Sequence, residues 1–353
     1  MFTKKNSKNL SFFLISVFII LSCCIYFYLF YWPVGSSHKQ DQIDFFVEWG
    51  EPFISVAERL EEQGIVKSAK NLVLTAKLTG KTQKIRAGMF SLALNSSNYH
   101  VLNALIKGPQ SYIRVTIPEG VDSRKIASLL KQNLNTDSLK FMELVNDTIF
   151  IKNFGIQASS LEGYLYPETY NFPYGTKEQQ VINELLQQFY KNMHDSLIER
   201  GKLYNFDLNQ ILTLASIIEG EAIIDSEMAT ISSVYHNRLK AGMLLQADPT
   251  IQYIIPNGPR RLLNKDLKID SPYNTYKYPG LPPGPINNPG YKAIYAAVHP
   301  APDQFYYMVA DGKGGHIFSR SLREHINAKK KFDRIRIQVA REKRLKGLNN
   351  SEK

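Results

Sequence analysis

Apolar and polar positions divide the chain into stretches of different character. Leu10–Trp32 holds no charged residue, follows Lys4, Lys5 and Lys8, and closes on aromatics from Tyr26 to Trp32. About 20 apolar residues cross the hydrocarbon core of a bilayer, so this run predicts a membrane-spanning helix. A cleaved signal peptide would show a shorter apolar core and a small-residue cleavage site. Lipid attachment within Ser22-Cys23-Cys24 is the competing reading, weakened because the apolar run continues past both cysteines. The basic flank predicts a cytoplasmic N-terminus and places everything after Trp32 outside the cytoplasm.

A polar linker, Gly35–Gln42, precedes three β–turn–α patterns. The first runs from Phe45-Phe46-Val47 through Gly50-Glu51-Pro52 into Ser55–Gln63, with Gly64 as a helix stop. Gly88–Leu92 before Tyr99–Lys107 repeats it, as does Ile113–Ile117 with Pro118-Glu119-Gly120 before Ser123–Lys131. Such modules suit a binding platform or a spacer. Leu139–Asn146 and Val181–Arg200 read as helices. Between them, Leu161–Tyr170 combines aromatic residues with Glu162 and Glu168, a mixture that suits either a sugar cleft or a packed junction.

The stretch from Asp207 to Gly242 is the most informative. Ile211, Ala215, Ile218 and Ala222 recur at helical spacing, while Leu208, Leu212, Leu214 and Ile217 fill the other sides. A helix apolar all round is a buried helix. Asp207, with Gln210 three residues on, predicts its N-cap. Inside it sit Glu219 and Glu221, and burial raises a carboxyl pKa toward the neutral range a general acid needs. Residues two apart lie roughly 200° apart on a helix. One glutamate should therefore face a cleft and the other a structural partner, unless Gly220 distorts the turn. A buried, salt-bridged pair is the purely structural alternative.

Asp225 or Ser226 should cap a second helix, Glu227–Lys240. Loops dense in Pro and Gly follow at Gln246–Thr250, Ser271–Tyr276, Gly280–Ile286 and Asn288–Gly290, and rigid loops hold site residues well. A helix at Tyr291–Val298, a strand at Phe305–Val309 and a tight turn at Asp311–Gly315 into His316–Phe318 complete the pattern.

Composition then narrows the chemistry. Both cysteines lie in the apolar segment, which leaves no disulfide, zinc–thiolate site or cysteine nucleophile beyond it. Of the net charge of +11, the part from Arg320 onward supplies +8. Such a tail could meet acidic lipid or an anionic wall polymer, and export argues against nucleic acid. His236, His299, His316 and His325 lack HExxH-type spacing, so no metal is expected. There is no GxSxG around a serine, and Gly312–Gly315 lacks the phosphate-loop frame. Carboxylate chemistry remains. Glycosidases place two carboxyls about 5–10 Å apart, and Glu221 with Glu162, Glu168 or Asp248 could supply them.

Several motifs occur in one order: EGYLYPETY (Glu162–Tyr170), LASIIEGE (Leu214–Glu221), YHNRLKAGMLLQADPTIQY (Tyr235–Tyr253), SPYNTY (Ser271–Tyr276), GLPPGPINNPG (Gly280–Gly290), HPA (His299–Ala301) and VADGKGGHIFS (Val309–Ser319). Together they closely resemble the MltG/YceG-type endolytic murein transglycosylases. The resemblance covers roughly Phe45 to Asn327.

It implies an inner-membrane protein that cleaves the MurNAc–GlcNAc β-1,4 bond of nascent peptidoglycan without water. One glutamate protonates the leaving oxygen, then as a carboxylate helps the MurNAc 6-hydroxyl attack C1, leaving a 1,6-anhydro end. The resemblance puts this role on Glu221, with Glu219 as support. Gln246, Asp248, Tyr273, Asn274, Tyr276, Glu162 and Glu168 are expected to line the cleft or bind sugar. The family's usual Glu-Lys-Glu is Glu-Gly-Glu here.

The expected fold is α+β: a transmembrane helix, small LysM-like β–turn–α modules, and a helical, loop-rich catalytic domain with short strands. The expected boundaries are a cytoplasmic tail 1–9, the spanning helix 10–32, a linker 33–44 and a LysM-like module 45–110. A catalytic region 111–335 follows, with 111–135 as its β–turn–α lead-in, and then a basic tail 336–353. Glycan strands, the membrane and peptidoglycan synthases are the expected partners, without metal or cofactor. A hydrolytic muramidase and a non-enzymatic wall-binding scaffold are the alternatives.

Overall fold

Helix α1 (Lys4–Tyr31) opens the fold, and its segment Phe12–Tyr31 is long and apolar enough to cross a membrane by length and composition. The computed structural model describes residues 4–32, 42–48, 50–108, 112–256, 258, 260–334 and 337. The expected linker through residue 41 and, apart from Ile337, the expected tail 336–353 lie outside the described residues. The chain is mixed α+β, with short strands paired two by two. It divides into two compact units.

The first unit contains α1 and residues up to 114, with two later segments, 132–136 and 171–177. Strand β1 (Gln42–Val47) leads to helices α2 (Phe53–Glu62) and α3 (Ala69–Leu78), then β2 (Gly88–Ala93) and α4 (Asn98–Lys107). β1 and β2 pair antiparallel, with Phe45 opposite Phe90. Phe45, Val56, Leu60, Leu72, Phe90, Leu102 and Leu105 close one core. The first two β–turn–α patterns are therefore halves of a single β-α-α-β-α body, not separate modules. Alternation in each strand signals one buried face, but which strand covers it is a long-range choice. Helix α3 escapes the sequence pattern. Ser68 caps it, its hydroxyl accepting from Asn71 N–H.

The second unit holds residues 115–131, 137–170 and 178 onward. It holds α6 (Ser138–Asn146) and α7 (Thr148–Lys152) whole and parts of strand β3 (Tyr112–Thr116), helix α5 (Ser123–Leu134) and strand β4 (Thr169–Pro173), which pairs with β3. Asp137 and Asp147 cap α6 and α7 through side-chain oxygens. The single helix expected over Val181–Arg200 is two, α8 (Glu178–Asn192) and α9 (Asp195–Lys202). His194 turns extended between them (ψ 143°), and the Asn192 side chain donates to the Gln188 carbonyl at the end of α8.

Helix α10 (Leu208–Glu221) runs through the middle of this unit's core. Asp207 and Gln210 form the expected capping box, and Ile211 through Ile218 are all buried. Five of these are large aliphatic residues, each contributing about 1.5–3 kcal/mol as an upper bound. α10 packs on α9, α11 (Met228–Lys240), α12 (Asp248–Ile254) and α13 (Tyr291–Val298). β5 (Tyr307–Ala310) and β6 (His316–Ser319) form a closing hairpin. Neither Asp225 nor Ser226 caps α11. Asp225–Glu227 is a 3₁₀ turn, and the Asp225 carboxylate pairs with Lys292 instead.

Candidate active site

The end of α10 sends its two glutamates to different neighbours. Glu219 accepts the Gly290 N–H at 3.1 Å and lies against Gly120, so it joins the helix to two loops. Burial pushes its pKa up to about 7, and Glu119 adds to the rise while the Gly290 N–H opposes it.

Glu221 is partly exposed. Its Oε1 accepts the Tyr235 hydroxyl at 3.0 Å, and the Asp248 backbone N–H also reaches it. Burial raises its pKa to about 7, followed by repulsion from the Asp248 carboxylate. Tyr235, His316 and the Asp248 N–H pull the other way. A shift from 4.5 to about 7 corresponds to roughly 3 kcal/mol of preference for the neutral acid. The apolar body of α10 offsets that cost. The result is a carboxyl poised between its protonated and ionised forms near neutral pH.

Gly220 leaves the helix regular, and its role is steric. A Cβ there would lie 2.7 Å from Pro249 Cβ and 3.0 Å from its Cγ. The missing side chain is what lets α12 approach and deliver the Asp248 N–H. Gly220→Ala gains about 1 kcal/mol of helix propensity but overpacks this contact, at about 1–3 kcal/mol. The thermal midpoint should fall, read by calorimetry; a higher midpoint would contradict the steric role.

Residues 246–250, expected as loop, contain the first turn of α12, where Pro249 is well placed because that turn leaves N–H groups unpaired. Arg238 fixes the preceding segment. Its guanidinium donates to the Leu245 carbonyl at 2.8 Å, to Gln246 Oε1 at 3.2 Å and to the Tyr306 carbonyl at 2.6 Å. Gln246, at φ 51°, donates its backbone N–H to Thr275 at 3.0 Å. Asp248 is exposed and accepts the Tyr276 hydroxyl at 2.5 Å, which puts both beside Glu221.

The remaining sequence candidates occupy other places. Asn274 is buried and folds its own loop, donating to the Leu267 and Ile269 carbonyls and accepting Tyr276 N–H. Tyr273 is half-buried against Tyr253. Glu162 is buried, accepts both the Ser123 N–H and Asn288 Nδ2, and burial lifts its pKa to about 7. It braces the start of α5. Glu168 is exposed and accepts the Thr169 N–H. Gly163, next to Glu162, has φ +86°, and a Cβ there would collide with Pro285, so the 161–165 loop closes on the Pro-rich segment.

Sequence reasoning missed Tyr235, Arg238, His316 and Glu227. Tyr235 and Arg238 are one helical turn apart on α11, a signal that was present in the YHNRLKAG motif. Glu227 accepts His316 N–H at 3.0 Å and contacts His316 Nδ1 at 2.8 Å, tying the start of β6 to the 3₁₀ turn before α11. Among the described residues, no group of three or more His, Cys, Asp or Glu is arranged to hold a metal ion.

The chain as a whole has counterparts among known proteins. A profile of the YceG-like family matches residues 45–331. The chain is 32% identical over 321 residues to an endolytic murein transglycosylase of Bacillus subtilis (strain 168), covering 85% of this chain and 87% of that protein. It is 29% identical over 338 residues to an endolytic murein transglycosylase of Streptococcus pneumoniae serotype 2, covering 84% of this chain but only 60% of that longer protein. The crystal structure of a yceG-like protein from Listeria monocytogenes superposes with a TM-score of 0.57 at 28% identity, over 82% of this chain and 99% of that one. The chain belongs to the YceG-like family.

Proposed function

We propose that the chain is a membrane-anchored lytic transglycosylase that cleaves glycan strands of peptidoglycan from within. The observation that carries this reading is Glu221: one partly exposed residue whose carboxyl is held near neutrality, at the end of a buried helix, in a chain whose curated relatives are named endolytic murein transglycosylases. As the acid, Glu221 protonates the glycosidic oxygen between MurNAc and GlcNAc. The carboxylate so formed then takes the proton of the MurNAc 6-hydroxyl as that oxygen closes on C1. The C1–O bond to GlcNAc breaks, the 1,6-anhydro bond forms, and the proton balance on Glu221 is restored. Tyr235 and the Asp248 N–H stabilise the transient carboxylate, a preorganised role that costs no reorganisation during the reaction.

Glu219 supports Glu221 by fixing the end of α10 against Gly290. Gln246, Asp248 and Tyr276 form the wall nearest the acid, with Tyr273 further out as a sugar contact; Glu162 and Asn274 act by holding the loops. The β-α-α-β-α body over 42–108 is the LysM-like, glycan-binding part, supported by its single core and antiparallel β1–β2 pair. Helix α1 anchors the chain with its N-terminus in the cytoplasm, in keeping with the lysines before its apolar run.

Asp248 beside Glu221 makes hydrolysis the competing outcome, because two nearby carboxyls are what a hydrolase uses. Digestion of uncrosslinked glycan strands by the full chain, followed by mass spectrometry, separates the readings. Internal 1,6-anhydro-MurNAc ends are expected. Reducing ends alone would mean hydrolysis, and glycan binding without any new ends would mean a scaffold.

A further inference from the structure

The exit of α1 from its apolar run is built into the folded body that follows. The last carbonyls of a helix have no partner within it. The Leu29 carbonyl is instead met by the buried Asn98 side chain, whose Nδ2 donates to it at 2.6 Å, with the Thr75 hydroxyl at 3.2 Å. Phe30 is buried and Tyr31 packs on Tyr99 with ring centroids 5.4 Å apart. So α3 and α4 grip the final turn of the helix, with residues outside the described set as the covalent link.

Depth follows from length. Phe12–Tyr31 is 20 residues, which at a rise of 1.5 Å gives about 30 Å, the thickness of the hydrocarbon core itself. Leu29 must then lie at the edge of that core, where an unmet carbonyl is costly, and Thr75 and Asn98 must lie at the same depth. Leu74 and Leu78 are one turn apart on α3, turned away from the core that buries Leu72 and Ala76, and exposed at 43% and 64%. Tyr99 is also exposed, Lys81 Nζ sits 5.4 Å from its ring, and Lys77 is exposed on α3. Apolar tips, an amphipathic aromatic ring and flanking lysines are the composition of a membrane-interface contact.

Resting on the reading that α1 spans the bilayer, we infer that the Leu74–Leu78–Tyr99 face of the β-α-α-β-α body is seated in the lipid headgroup layer of the outer leaflet. The body does not swing on a tether. Its orientation to the membrane is fixed by the grip on α1, and Lys77 and Lys81 meet lipid phosphate. The occupant of the face is lipid because the face is continuous with the end of the spanning helix.

Site-directed spin labels on the full chain, one chain per lipid nanodisc, test this. With Cys23→Ser and Cys24→Ser as background, labels go singly at Phe18→Cys, Leu74→Cys, Leu78→Cys and Glu58→Cys; Glu58 is exposed on α2. Relative accessibility to oxygen and to a water-soluble nickel chelate gives the depth of each. The expected result is Phe18 in the hydrocarbon, Leu74 and Leu78 at the headgroup level, and Glu58 in water. Phe18 in hydrocarbon with Leu74 and Leu78 as water-accessible as Glu58 would overturn the inference alone. Phe18 in water would overturn the anchor and the inference with it. Protection of Leu74 and Leu78 only when several chains share a disc would assign the face to a second copy and contradict lipid seating.

Discussion

Glu221→Gln should lower cleavage of glycan strands by about 10²–10⁴-fold, the range expected for a proton-transfer group, while the fold stays intact. The amide keeps the shape of the side chain and can still accept from Tyr235 and from the Asp248 N–H. What it lacks is an ionisable proton, so neither half of the reaction can be assisted. Stability should move in the opposite direction at higher pH. The folded-state pKa of about 7 exceeds the ordinary value of 4.5, so folding favours the protonated acid. That preference is fully present below about pH 4.5 and is lost as pH rises toward 7. Glu221→Gln should therefore match the wild-type midpoint near pH 4.5 and exceed it at pH 8, read by calorimetry at both. In the same account, activity declines as pH rises past about 7, where the starting acid is lost. Tyr235→Phe removes a hydrogen bond that favours the carboxylate, so this limb should shift to higher pH in rate measurements.

Asn288→Ala should be the most damaging single truncation outside the acid itself. Asn288 is fully buried. Its Oδ1 accepts Gly163 and Leu165 N–H at 2.8 and 3.0 Å, and its Nδ2 donates to the Val121 carbonyl at 3.1 Å and Glu162 Oε1 at 2.8 Å. Alanine leaves all four groups without that partner in the interior. Each unmet buried group costs about 1–3 kcal/mol; allowing for relaxation, a loss of about 3–5 kcal/mol is expected. At about 2–4 °C per kcal/mol for a unit of this size, the thermal midpoint should drop by roughly 10 °C. Activity should fall with it, because the 161–165 loop, the 119–121 turn and Gly290 all meet near Asn288 and Glu219. A midpoint within a degree or two of wild type would show that the junction is not held as described.

Local signals made the scaffold of the site readable from sequence. The Asp207–Gln210 capping box, the all-round apolar pattern of α10 and the divergence of Glu219 from Glu221 each depend on residues a few positions apart. The residues that tune Glu221 are distant in sequence, so periodicity could not reach them. Tyr235 is on the next helix, the Asp248 N–H belongs to the turn that starts α12, and His316 opens β6. Proline misled at residue 249, where it begins a helix that the surrounding loop composition concealed. Gly220 misled in another way: read as a residue that could distort the helical turn, it is a point of close contact. The β–turn–α repetition was visible, but only the pairing of β1 with β2 reveals that two of the repeats share one core.

In the proposed mechanism Glu221 drives cleavage without water. Digesting glycan strands in ¹⁸O-labelled water tests it most directly, because water consumed at the bond leaves its oxygen on C1 of the new end. The wild-type chain should produce 1,6-anhydro-MurNAc ends free of ¹⁸O, and Glu221→Gln should produce almost none. New reducing ends carrying ¹⁸O would mean hydrolysis, and undiminished cleavage by Glu221→Gln would remove Glu221 from the reaction.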